Sequence, residues 1–181
     1  MSGSALYNIL LRNHINFMEI QTEYAVSEMG RILFGRLAPR TDLVPGILSI
    51  CAGAGIRFGY IPTLIGSLSC NRFVYAKRPP AKTPDRPSGF VFCKPIERTG
   101  PFEILSAQGT LGQSKDGKPF LHLHALLCDE KDRIFGGHIL EQGCLVLATI
   151  EVVVRETQGV RLIRCPDEET GVRLFRVSSG F

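Results

Sequence analysis

Three of the four histidines in this chain fall in one stretch, "FLHLHALLCDEKDRIFGGHIL" (120–140): His122, His124 and His138. Neutral imidazole is a borderline ligand that suits zinc, nickel or iron. Three protein ligands leave one coordination position open, which is how catalytic zinc centres are built. The competing reading is a polar sheet face that merely carries imidazoles. The question is whether the elements around these residues would bring them together.

The pattern argues that they do. Residues 121–128 alternate, with Leu121, Leu123, Ala125 and Leu127 on one face and His122, His124, Leu126 and Cys128 on the other. "DEKD" (129–132) reads as a tight polar turn, so 133–139 should return antiparallel. A turn centred there makes paired residue numbers sum to 261 or 262 and sets His138 opposite Leu123 or His124. Opposed side chains have Cβ atoms roughly 5 Å apart. The Gly136-Gly137 pair is expected to form a bulge that turns His138 onto the face of the other two. The expectation is one divalent transition metal, zinc foremost, on His122, His124 and His138. Cys128 would lie about 13 Å along the strand from His124, too far to be a fourth ligand. His14 is remote in sequence.

Other polar residues are candidates for supporting roles. Glu103, Ser106 and Thr110 lie on the preceding strand. Thr149 and Glu151 share a face of the following one. A carboxylate there could serve as a general base or hold an imidazole in place. Arg57 and Arg72 could pair with the carboxylate of a small anionic ligand. Each of these is also compatible with an ordinary sheet position.

The elements that must carry these residues are legible in outline. "RILFGRL" (31–37) reads as a strand. "TDLVPGILSICAGAG" (41–55) reads as a helix, capped by Thr41 or Asp42, with Pro45 in its first turn and Gly53 and Gly55 at its end. "RFGYIPTLIGSLSCNRFVYAK" (57–77) reads as two short strands divided around Pro62 and Gly66. "RPPAKTPDRPSG" (78–89) is a loop or flap. Strands follow at 90–97, 102–112, 120–128, 133–139 and 144–156, then in "VRLIRC" and "VRLFRV". One helix among many turn-separated strands predicts an α+β fold with a largely antiparallel sheet.

Composition agrees. The chain has 181 residues, 44% of them hydrophobic, which suits one domain with its own core. No apolar run approaches the roughly 18 residues that a membrane-spanning helix needs. The six cysteines include no C-x-x-C pair, and reduced thiols in a cytoplasmic protein are expected. The net charge of +4 is mild for a nucleic-acid binder.

"GPFEILSAQGTLGQ", "LHLHALLCDEKDRIFGGHIL" and "LATIEVVV", in this order and spacing, resemble the PPC (plants and prokaryotes conserved) domain, as does "GILSICAGAGIRFGYIPTLIGSL" upstream. The resemblance divides the chain into an N-terminal extension (1–24), a PPC-like domain (25–160) and C-terminal strands packed on it (161–181). It implies a mostly antiparallel sheet with one principal helix, assembled as a homotrimer. It also implies a metal site of the prokaryotic three-histidine type, usually zinc, on His122, His124 and His138. In plants the domain is joined to AT-hooks that bind A·T-rich DNA. Here the R-G-R-P core of such a hook is absent, and "RPPAKTPDRP" is only superficially like it. Three functions follow as expectations: a DNA-binding or regulatory metal module, an enzyme acting on a small anionic molecule through an open three-histidine site, or a trimer that the metal only stiffens.

Overall fold

The computed structural model describes residues 22–80 and 89–180. Most of the expected N-terminal extension and of the Pro-rich loop, together with His14, therefore lies outside the described residues.

Alternation is the organising feature. In β6 (Pro119–Asp129), Leu121, Leu123, Ala125 and Leu127 are buried, and the residues between them face away from the core. The strand before it, β5 (Ile96–Ser114), and the one after it, β7 (Ile134–Ile139), flank it antiparallel. A single long strand, β2 (Gly59–Val74), pairs with β5 along most of its length. At its end β2 pairs with β7 through Phe73–Ile139 and Val74–His138. The strands β2, β5, β6 and β7 thus close on themselves. On the other side β2 pairs with β8 (Val146–Gln158), which pairs with β1 (Glu28–Leu37).

Two expectations need correction here. Residues 57–77 do not form two short strands. β2 runs unbroken, and its irregularity is confined to register shifts beside Pro62, which has no N–H to give the ladder, and on either side of Leu68. Gly66 permits the close crossing on β8: it has φ +133°, and a Cβ there would lie 2.1 Å from the Thr149 carbonyl oxygen. Nor does Asp42 cap the helix with its side chain. Its carboxylate accepts from the backbone N–H groups of Gly143 (2.8 Å) and Cys144 (3.2 Å), tying the helix start to the β7–β8 connection.

The helix α1 spans Leu43–Gly53 and ends before Gly55, whose φ of +70° leaves the helical region. Leu43, Val44, Ile47 and Cys51 recur every three or four residues and are buried. They pack in one core with Leu64, Leu68, Leu123, Leu127, Ile150 and Val154. Truncating a fully buried leucine such as Leu123 to alanine costs about 2–5 kcal/mol.

Two short strands, β3 (Ala76–Lys77) and β4 (Val91–Phe92), pair at the base of the Pro-rich loop. At the chain's far end β9 (Val160–Pro166) and β10 (Arg173–Ser179) form an antiparallel hairpin. It joins the main sheet by a short parallel pairing of β9 with β5, at Gln113–Ile163 and Ser114–Arg164. The architecture is mostly sheet with a single short helix among the described residues, so the α+β expectation holds with little helix. All six cysteines are free, and Cys51 and Cys144 are buried. No helix among the described residues is long and apolar enough to cross a membrane.

Candidate metal centre

The β6–β7 hairpin follows from a local network at its turn. The Asp129 carboxylate accepts from the N–H groups of Lys131 (2.9 Å) and Arg133 (3.1 Å) and from Arg133 Nε (2.8 Å). Asp132 takes the left-handed conformation the turn requires, with φ 59°, where Asp is tolerated. The Arg133 guanidinium holds the Asp129 carboxyl down to about 2.

From this turn the register runs without a break, Cys128–Ile134 through His124–His138. Directly opposed residues share a face, so His138 joins His122 and His124 without the bulge expected at Gly136-Gly137. The two glycines have another role: they let neighbouring backbones approach. A Cβ on Gly136 would lie 2.1 Å from the Ala125 carbonyl oxygen, and one on Gly137 would lie 2.5 Å from that of Val74.

The three imidazoles form a compact triangle. Ring centroids are 4.9 Å apart for His122–His124, 4.9 Å for His122–His138 and 5.4 Å for His124–His138. One ring nitrogen from each lies within 4.8 Å of the other two. Nε2 of His122 and Nε2 of His124 are 3.1 Å apart. Two nitrogens bound at about 2.05 Å to a tetrahedral zinc would be about 3.3 Å apart. The donor set and its spacing therefore fit a divalent transition ion. The electrostatics fit as well, because a metal needs unprotonated imidazoles. Burial, then the charges of His122, His124 and Arg164, push His138 down to about 4. Burial, then His124 and Arg164, also lowers His122.

The remaining sequence candidates are spread over the molecule. Thr110 stands opposite His122 on β5, and its neighbour Gln108 stands opposite His124. Ser106 and Gln108 line an open depression of about 430 Å³ beside His124, with Leu126 and Gly136. Glu103 pairs with Cys128, about four residues further along β6. Thr149 and Glu151 lie on β8, separated from β6 by β2 and β7. There Thr149 accepts from Arg36 Nε (3.2 Å), and Glu151 stands opposite Arg36. Arg57 lies beyond the helix C-terminus, in a cavity of about 550 Å³ with Leu48 and Leu111. Arg72 is ion-paired to Glu97 at 2.9 Å and lines a cleft with Asp42 and Asn71. The structure does not bring Glu103, Thr149, Glu151, Arg57 or Arg72 to the imidazoles.

Sequence reasoning missed Arg164. Its guanidinium carbon sits 3.8 Å from the centroid of Phe120, which precedes His122 by two on the same face of β6. The placement depends on the short parallel pairing of β9 with β5, which no local pattern announces.

Together these features define a class: a mostly antiparallel β domain with one helix and a three-histidine cluster on the outer face of a hairpin. Residues 24–158 match the Plants and Prokaryotes Conserved (PCC) domain, and the chain belongs to that family. The family resemblance read from the motifs is therefore correct. Among solved structures, the fold resembles a protein of Archaeoglobus fulgidus described as metal-containing. The two share 28% identity and a TM-score of 0.70, over 85% of this chain and 99% of that one. It also resembles a plant- and prokaryote-conserved (PPC) protein of Pyrococcus horikoshii, at 24% identity and a TM-score of 0.69, over 86% of this chain and 97% of that one. A curated relative is the bifunctional protein GlmU of Synechococcus sp. (strain JA-3-3Ab), 29% identical over 136 residues, 75% of this chain. That match covers 19% of the relative, so the chain spans about a fifth of the length of the curated relatives it matches.

Proposed function

We propose that this protein is a metal-binding member of its family that holds one divalent transition ion, zinc foremost, on His122, His124 and His138. We further propose that the centre serves a small anionic molecule. The observation that carries the reading is the triangle of ring nitrogens, mutually within 4.8 Å, on a sheet face with an open depression beside it. The Archaeoglobus relative's description as metal-containing supports it. Bound there, such an ion supplies Lewis acidity and lowers the pKa of a coordinated water. The chain's part is to hold three neutral imidazoles in place and leave one side of the centre accessible. A DNA-reading function is the second choice: the net charge is only +4, and several of the arginines are already engaged. Arg31 pairs with Glu156, Arg72 with Glu97, Arg133 with Asp129, and Arg176 with Glu23 and Asp167.

Elemental analysis of the untagged protein tests the metal reading. Near-stoichiometric zinc or a neighbouring metal is expected, with most of it lost in His122→Ala and in His138→Ala. Full retention in both variants would sink the reading.

A further inference from the structure

We propose that Arg164, carried by the C-terminal β9–β10 hairpin, is the second anchor of this site. A small oxyanion would place one oxygen on the metal and another on the guanidinium. The inference rests on the metal reading above and adds to it a residue from outside the family's domain. Residues 24–158 match that domain, whereas β9 and β10 occupy 160–179. The hairpin lies beyond the residues matched by the family model, and what it brings to the histidine face is a cation.

Several contacts hold that cation in place. Phe120, His122 and His124 alternate onto one face of β6. Arg164 lies over the Phe120 ring, its guanidinium carbon 3.8 Å from the centroid, a cation–π contact that holds the cation there. Phe175 from β10 packs against the same ring, with centroids 5.7 Å apart. Residues two apart along a strand are separated by about 6.6 Å, so the cation stands about one side chain from His122.

The charge balance identifies the ligand class. Three neutral imidazoles and a divalent ion carry +2, and Arg164 adds +1. Among the described residues its acidic partner is Glu141, 3.9 Å away and 71% exposed, too hydrated to neutralise it. The Arg164 side chain is 28% exposed, so water screens it only in part. A half-buried guanidinium has its strongest interactions with planar or tetrahedral oxyanions, to which it donates from two nitrogens. Carboxylate and phosphate share that chemistry. Lysine, as a point charge, would not reproduce the fork.

The test uses the full chain loaded with Co²⁺, titrated with inorganic phosphate in one arm and acetate in the other, and followed by the visible absorption of the metal. Wild type should take up one ion per chain and show a saturable change with at least one anion; the arm that saturates at lower concentration distinguishes phosphate from carboxylate. Arg164→Gln should keep the metal and weaken the anion by about ten- to a hundredfold. Arg164→Lys should fall between, and Glu141→Gln should leave anion binding within about twofold of wild type. Equal anion affinity in wild type and Arg164→Gln, with the ion bound in both, would overturn the role of Arg164. So would a wild-type spectrum that neither anion changes. Failure of wild type to take up the ion at all would instead overturn the metal reading beneath it.

Discussion

At the scale of single residues, burial and the charges of neighbouring imidazoles push His122 and His138 in the same direction. His138 is pushed down to about 4 from an ordinary value near 6.5, chiefly by burial and then by its charged neighbours. A folded-state pKa below the unfolded one means that the unfolded chain binds the proton more readily. The metal-free protein should therefore have its full stability above about pH 6.5 and lose it as the pH falls towards 4. For His138 the loss amounts to roughly 2–3 kcal/mol at the lower end. Urea unfolding of chelator-treated protein at pH 7 and pH 4.5 checks this. His138→Gln should abolish that part of the difference, and an unchanged pH dependence in the variant would contradict the assignment. His122, also lowered by burial, shares this window, and Asp129 and Glu156, held near 2 by their ion pairs, add a loss of the same sign only from its lower edge near pH 4 downward. The histidines themselves were legible in the sequence because H-x-H on an alternating strand and a third histidine after a polar turn constrain one another. Arg164 was not, since it reaches the face through tertiary pairing alone.

At the scale of the elements, the β6–β7 hairpin shows what local pattern can and cannot specify. The register was readable: a turn at 129–132 admitted His124–His138, and that pair forms. The role of Gly136-Gly137 was misread as a bulge, because glycine in a strand signals either a bulge or a close approach, and sequence does not separate the two. Here the approach is what matters. Gly136→Ala would drive a Cβ to 2.1 Å from the Ala125 carbonyl oxygen, a clash with backbone that no rotamer relieves. We expect a loss of about 1–3 kcal/mol and a weaker hold on metal, as β7 is pushed away from β6. Gly53→Ala is the control. It lies in the last turn of α1 with nothing within 4 Å of its added Cβ, and should be neutral or stabilising by up to about 1 kcal/mol. Thermal unfolding and metal content of the two variants decide the matter; equal behaviour would show that the glycines are incidental. The division of 57–77 into two strands failed for a related reason. Pro62 and Gly66 interrupt a ladder locally, but pairing with β5 on one side and β8 on the other carries β2 past them.

At the scale of the whole molecule, charge and exposed apolar surface point to different partners. For DNA the expectation is weak, salt-sensitive binding, poorer than micromolar at about 150 mM salt, because phosphate contacts need several free cations in one place. Titration of A·T-rich against G·C-rich duplex tests it, and nanomolar binding with A·T preference would reverse the reading. The exposed apolar surface is where the homotrimer implied by the family resemblance can be tested. On the side of the β1–β8–β2 sheet away from the helix, Phe34 and Thr63 flank Val153, Ile32 and Tyr60 flank Arg155, and Arg36 and Ile65 flank Glu151. Phe34 is 80% exposed and Ile65 is 50% exposed. Exposed aromatic and branched side chains on one sheet face, here interspersed with Arg36, Glu151 and Arg155, are a candidate interaction surface. Among the described strands, β1 and β10 are also sheet edges. The homotrimer that the family resemblance implies would cover such a face. Light scattering should then give about three times the chain mass of 20.0 kDa. Phe34→Asp would bury a charge at that contact and should shift the protein to a smaller species. It should leave the metal content unchanged, since Phe34 and the histidine hairpin lie on different strands. A wild-type monomer at micromolar concentration would refute the trimer outright, and a Phe34→Asp variant that still assembles would move the interface to another surface of the sheet.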